Sequence, residues 1–141
     1  MKIKPLVNNF IKPEYKRDLS GGLDIYFQTD VILNPNQVNQ IPLGFASEVP
    51  EGCVALLLPR SSAGIKGIGL RNTVGVIDAD YRGEWLAFIT LDPICDKPIT
   101  FKRGERALQA LIVPFSRVAI ELTDTLSETG RGDTGFGGTG K

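Results

Sequence analysis

Three segments of this chain gather side chains that can hold an anion or activate a water. Pro59-Arg60-Ser61-Ser62-Ala63-Gly64 follows the apolar run Val54–Leu58, so a guanidinium, two hydroxyls and free backbone amides fall at a strand-to-turn junction. Phosphate oxygens accept from that set of donors. The same residues also suit an ordinary N-cap with a surface arginine. Asn72-Thr73-Val74-Gly75-Val76-Ile77-Asp78-Ala79-Asp80-Tyr81-Arg82-Gly83-Glu84 reads as a β-hairpin around an acidic, glycine-bearing turn. Asp78 ends an apolar strand and Tyr81 lies just beyond it, which lets a carboxylate and an aromatic ring face one pocket; Asp78 and Asp80 would equally serve as turn formers. The Asn72 amide carries a donor and an acceptor, the pair that the edge of a pyrimidine requires. Asp24, within Ser20-Gly21-Gly22-Leu23-Asp24-Ile25, is polar in a strand opened by glycines that permit close approach of other groups. It can serve the water shell of a metal or stand as a satisfied strand-end aspartate.

The elements that must position these groups are short strands. Glycine and proline cut the sequence into pieces rich in Val, Ile, Leu, Phe and Thr with partial period-two alternation, the pattern of an all-β sandwich or barrel. Strands are expected over Leu23–Thr29, Gln40–Phe45, Gly52–Leu58, Val74–Ile77, Glu84–Leu91, Ile99–Phe101 and Ala107–Leu122, the last broken near Pro114. The one helical candidate is a short turn opening at Ser61-Ser62-Ala63, where serine can cap exposed amides. From Ser127 the chain becomes glycine-rich and nearly free of apolar residues, so residues 1–126 are expected to form one domain and residues 127–141 a flexible tail.

Composition narrows the chemistry. A length of 141 residues supports a single domain with its own core. Sixteen basic residues balance sixteen acidic ones, leaving no net field for a nucleic-acid backbone or an anionic membrane, so any bound anion must be met locally. Histidine is absent, which excludes a Ser-His-Asp triad, a Cys-His pair and a His-containing zinc site, and leaves general-base work to a carboxylate. Cys53 and Cys95 are widely spaced and each adjoins apolar sequence, as reduced, buried thiols do. The apolar runs are far shorter than the roughly 20 residues that span a bilayer. Lysines and asparagines near Met1 replace the apolar core of a signal peptide, so a cytoplasmic location is expected, in the host cell if the source is viral.

Two matches in the tail are discounted. Gly135-Phe136-Gly137-Gly138-Thr139-Gly140 spells the dinucleotide-binding GxGxxG pattern, but no strand is expected to lead into it and no helix to follow it. Arg131-Gly132-Asp133 spells a cell-adhesion tripeptide, which carries no weight in a chain expected to lack a secretion signal.

Taken in order, the remaining segments resemble the five motifs of the trimeric dUTPase family, from about Gly21 to Gly140. Gly22-Leu23-Asp24-Ile25 resembles the first motif, Pro59-Arg60-Ser61-Ser62-Ala63-Gly64 the second and Gly75-Val76-Ile77-Asp78-Ala79-Asp80-Tyr81-Arg82-Gly83 the third. Gly104-Glu105-Arg106-Ala107-Leu108-Gln109 resembles the fourth, and Arg131 through Gly140 the fifth. The resemblance implies a jelly-roll-like distorted β-barrel, a homotrimer with shared active sites, and a tail that closes over bound nucleotide. It implies hydrolysis of dUTP to dUMP and pyrophosphate with Mg2+, and no nucleic-acid or membrane partner.

Carried over residue by residue, the resemblance makes Asp78 the group that orients and deprotonates the attacking water, and Asp24 a holder of magnesium through water. Arg60, Ser61, Ser62 and Gln109, with Gly64 beside them, would grip phosphate. Asn72 and the backbone of Gly75, Val76 and Ile77 would read uracil, and Tyr81 would pack under the deoxyribose and exclude a ribose hydroxyl. Phe136 would stack on uracil with Gly137 beside it as a further substrate-binding residue, and Arg131 and Thr139 would hold the outer phosphates. These roles agree with elementary chemistry: once magnesium and cationic donors absorb its charge, a triphosphate needs mainly an in-line water and one base.

Two positions depart from the family pattern. Gly138 stands where a polar residue is usual, which removes one hydroxyl contact to phosphate, and Leu108 replaces the commoner alanine before Gln109. A dCTP deaminase would share the fold and the Arg-Ser-Ser segment, and a nucleotide-sensing interaction protein would share the binding groups. Asp78, Tyr81 and the phenylalanine-bearing tail favour the pyrophosphatase.

Overall fold

The computed structural model describes residues 1–133 and 135. Among them the chain is nearly all β, with strands β1 (Lys2–Pro5), β2 (Leu23–Ile25), β3 (Val31–Leu33), β4 (Asn39–Pro42), β5 (Phe45–Glu48) and β6 (Cys53–Pro59). A single-turn helix α1 (Ser61–Ile65) follows, then β7 (Ile68–Leu70), β8 (Gly75–Ile77), β9 (Leu86–Leu91), β10 (Ile99–Phe101) and β11 (Leu108–Pro114). No helix among these residues is long and apolar enough to cross a membrane.

The strands form four antiparallel sheets around one core, as the expected distorted barrel requires. The largest runs in the order β2-β11-β6-β8, a second in the order β4-β9-β7, and the pairs β1-β5 and β10-β3 close the remaining sides. Trp85, Phe27, Phe45, Leu33, Leu57, Ile89 and Leu108 are fully buried between them. The Trp85 indole N–H donates to Ser47 Oγ at 3.1 Å, so the bulkiest core residue carries no unpaired polar group inward. Gln28, also buried, accepts from the Ile11 amide at 2.9 Å and donates to the Ile11 carbonyl at 3.0 Å, tying the N-terminal segment to the barrel.

Several expectations are corrected. The segment around Asp78 is not a hairpin: β8 pairs with β6, whereas β9 pairs with β4 and β7, so the acidic turn carries the chain from one sheet to another. The single strand expected over Gln40–Phe45 is two strands, separated at Gly44, whose positive φ of 75° breaks the extended run. Serine does not cap α1: Arg60 is its N-cap residue, no side chain makes the capping bond, and Ser61 and Ser62 are exposed. The strand expected to Leu122 ends at Pro114. Residues 115–122 keep an alternating apolar pattern but join no sheet, leaving Val118, Ile120 and Leu122 at 76%, 89% and 95% exposure. Strands β1, β3 and β7 were not expected. Cys53 and Cys95 are free thiols, partly rather than fully buried, at the margin of the core.

Candidate active site

Asp24 is the centre of the first half of the site. Cross-strand register places Gln109 of β11 opposite both Asp24 of β2 and Leu58 of β6. Directly opposed residues share a face of a sheet, so Asp24 and Gln109 project together, and Arg60 enters beside them just past the end of β6. The Arg60 amide donates to the Ala107 carbonyl at 2.8 Å, which fixes where its side chain begins. Only 6% of Asp24 is exposed. A carboxylate that buried needs charged partners, and it has two: Arg60 Nε lies 2.9 Å from Oδ1 and an Arg106 terminal nitrogen 2.8 Å from Oδ2. Gln109 Nε2 donates to the Pro59 carbonyl at 3.3 Å. Its side-chain oxygen lies where a Cβ on residue 22 would come within 2.3 Å of it, so Gly22 is what admits the amide.

These groups line a cleft of about 500 Å³ together with Lys16, Arg17, Ser20 and Ser61. Four cations, Lys16, Arg17, Arg60 and Arg106, face one carboxylate, a surplus of three positive charges in a chain whose net charge is zero. The positive charge is gathered locally, in a chain whose overall charge supplies none. The loop carrying Lys16 is fastened by Glu14, whose backbone bridges that of Asp24 and whose carboxylate accepts from Tyr26 Oη at 2.5 Å and from the Lys16 ammonium. The Lys16 and Tyr26 hydrogen bonds hold Glu14 below its ordinary carboxylate pKa, and the Glu14 partner raises Lys16 above its own.

The second half surrounds Asp78, which is exposed at the end of β8. Its carbonyl accepts from the Tyr81 amide at 3.2 Å, and an Arg82 guanidinium nitrogen donates to the Ala79 carbonyl at 2.7 Å, setting the turn. Tyr81 Oη donates to the Glu84 carbonyl at 3.1 Å, and the ring lies so close over Gly83 that a Cβ there would come within 2.3 Å of the phenol oxygen. Strand β8 lies at the edge of its sheet, which leaves one side of Gly75, Val76 and Ile77 without a neighbouring strand. Asn72 is exposed in the turn before it. Asp78 and Asp80 share a different cleft, of about 660 Å³, with Phe115 and Arg117.

Within one copy of the chain Asp78 and the Asp24 cleft stand apart. Ile77 stands opposite Ala55 near the start of β6, and Arg60 follows Pro59 at its far end. At the ordinary rise per strand residue, Asp78 and Arg60 are on the order of 20 Å apart. Ser62 and Gly64 are exposed on α1, close in sequence to the first cleft. Arg131 lies in the exposed segment after β11; Phe136, Gly137 and Thr139 lie outside the described residues. Lys16, Arg17 and Ser20 were missed because adjacent surface charges carry no pattern. Arg106 was visible only within the fourth motif and without a role of its own, since its partner Asp24 is remote in sequence.

No cluster of three metal-ligating side chains occurs among the described residues. Asp24 nevertheless suits an ion reached through water: each oxygen engaged by a guanidinium keeps a lone pair. Magnesium retains waters and commonly arrives with substrate phosphates rather than in an all-protein cage.

The fold and the Asp24 cleft define a β-barrel whose cation-rich cleft suits an anionic ligand. The sequence profile of the dUTPase family matches residues 8–140, and the chain belongs to that family. Deoxyuridine 5'-triphosphate nucleotidohydrolase of Dictyoglomus turgidum is 41% identical over 133 residues, covering 91% of this chain and 89% of the relative. That of Clostridium tetani is 38% identical over 142 residues, covering 100% and 97%. Among solved structures, a mutant dUTPase of Staphylococcus bacteriophage 80alpha with dUpNHpp superposes with a TM-score of 0.85 at 26% identity, covering 99% of this chain and 98% of the other.

Proposed function

We propose that this dUTPase converts dUTP to dUMP and pyrophosphate in sites completed between copies of the chain, and that its product supplies dTMP synthesis while uracil is kept out of DNA. The observation that carries the reading is the Asp24 cleft, where a surplus of cations converges beside Ser61 and Gln109 in a member of the dUTPase family. The distance between that cleft and Asp78 supports a shared site. So do Val118, Ile120 and Leu122, which alternate like a strand yet stand in water. A C3 arrangement gives each copy one complete site, and a homotrimer is the assembly we propose.

In that site Arg60, Ser61, Ser62 and Gln109 hold the phosphates, with Gly64 leaving room beside them. Asn72 and the open edge of β8 at Gly75, Val76 and Ile77 pair with the uracil edge, and the Tyr81 ring supports the deoxyribose. A 5-methyl group or a ribose hydroxyl meets a wall at these positions, which excludes dTTP and UTP. Asp78 accepts a proton from water as the water oxygen bonds to the α-phosphorus in line with the bridging oxygen; the bond to that oxygen breaks and pyrophosphate leaves. The charge developing on pyrophosphate is what a magnesium ion, held through water by Asp24, would offset. Arg131, Phe136, Gly137 and Thr139 close the site by the family resemblance.

The test is pyrophosphate release from dUTP, UTP, dTTP and dCTP, in magnesium and in excess chelator. Selective, metal-dependent release from dUTP is expected. Ammonia release from dCTP, or dUTP binding with no pyrophosphate from any of the four, overturns the reading.

A further inference from the structure

We infer that Arg17 is a direct binding residue for the outer phosphates of the substrate, an inference that rests on the function proposed above. Of the four cations lining the cleft, three are already committed to carboxylates: Arg60 and Arg106 to Asp24, and Lys16 to Glu14. Arg17 lines the same cleft with no ion pair or side-chain hydrogen bond to another described residue. Its planar fork of donors fits two oxygens of one phosphate.

Position selects which phosphate. The α-phosphorus must sit within reach of the Asp78 water, and the Asp24 cleft then receives the phosphates beyond it. Arg60 and Arg106 lie half-buried against Asp24, while Arg17 stands exposed on the rim. A rim cation meets the end of the chain that projects outward. A guanidinium with no side-chain partner among the described residues can also follow that end as pyrophosphate departs.

The experiment compares the full-length protein with its Arg17→Ala and Arg17→Lys variants. It measures steady-state hydrolysis of dUTP, inhibition by inorganic pyrophosphate and by dUMP, and thermal unfolding. For Arg17→Ala, KM for dUTP and the inhibition constant for pyrophosphate should each rise about tenfold, as loss of a charge-assisted hydrogen bond implies. The dUMP constant should stay within about twofold. Arg17→Lys should fall between, and Tm should not move because the side chain supports no other residue. The difference between wild type and Arg17→Ala should shrink in high salt. Unchanged pyrophosphate inhibition in Arg17→Ala, or an equal loss for dUMP, overturns the inference while leaving dUTP hydrolysis intact. A wild-type chain that neither hydrolyses dUTP nor binds pyrophosphate removes the underlying reading and the inference with it.

Discussion

Arg60 and Asp24 are joined Nε to Oδ1 at 2.9 Å, so the guanidinium available to a phosphate is held by the carboxylate available to a metal's water shell. Asp24→Ala therefore removes more than a charge: it leaves Arg60 and Arg106 facing each other without a counterion. Both guanidinium groups keep about a third of their exposure, 29% and 30%, so solvent tempers the cost. A stability loss of about 2 kcal/mol is expected in urea unfolding, with a higher KM for dUTP. A variant as stable as wild type would show that Asp24 does not organise the cleft.

Asp78 is exposed and supports only the turn that carries it, so Asp78→Asn should change stability by less than about 0.5 kcal/mol. Turnover should fall at least about 100-fold while binding of a non-hydrolysable dUTP analogue persists. Full turnover in this variant would take Asp78 out of the mechanism.

If each site takes Asp78 from one copy and Arg60 from another, two dead chains can repair each other. Asp78→Asn and Arg60→Ala chains, unfolded together in equal amounts and refolded, should recover about a quarter of wild-type activity, the random-mixing share of sites that receive both intact groups. Separately refolded controls should stay inactive. No recovery in an assembly shown to be mixed would place both groups in one copy's site.

Gly83 has a measurable purpose in the position of Tyr81. A methyl group at residue 83 would come within 2.3 Å of the phenol oxygen, so Gly83→Ala must displace the ring and break its bond to the Glu84 carbonyl. Preference for dUTP over UTP, taken as the ratio of kcat/KM values, should fall about tenfold, with a stability cost of about 1 kcal/mol. An unaltered ratio would mean that Tyr81 does not police the sugar.

Glu14 sets an acid-side prediction. Its pKa is lowered in the folded chain, first by the Lys16 hydrogen bond and then by that of Tyr26. A lowered folded pKa adds stability above the unfolded value, 4.5, and that contribution is lost as pH falls through the folded value. Below pH 4.5 wild type should lose stability faster than Glu14→Gln, and salt should narrow the gap. Lys16 acts with the opposite sign: its contribution is complete below pH 10.5 and disappears as pH rises through its raised folded pKa. Parallel acid limbs for wild type and Glu14→Gln would remove Glu14 from the balance.

The legible part of the site lay in local composition. Arg60-Ser61-Ser62 sits where it was expected, between a long apolar strand and a tight turn, and Gly22 admits the Gln109 amide as a glycine beside Asp24 should. The choice of strand partner was not legible. Ile77 ends β8 and Leu86 opens β9, near in sequence, yet β8 takes β6 as its partner whereas β9 takes β4 and β7, and side-chain alternation within each strand does not say which partner it meets. Strands β1, β3 and β7 were missed for their brevity, since three or four residues scarcely establish a period. Arg17, and the pairing of Arg106 with Asp24, became visible only when folding brought remote loops around one carboxylate.

Strand β6 separates the end of the barrel that carries the Asp24 cleft from the end that carries Asp78, and in the proposed assembly this separation makes catalysis a collective property. A solitary chain can be fully folded and still possess no working centre. Specific activity should then decline on dilution below the dissociation constant of the assembly, while each chain keeps its native backbone. Enzyme concentration, and not substrate alone, would set when hydrolysis begins.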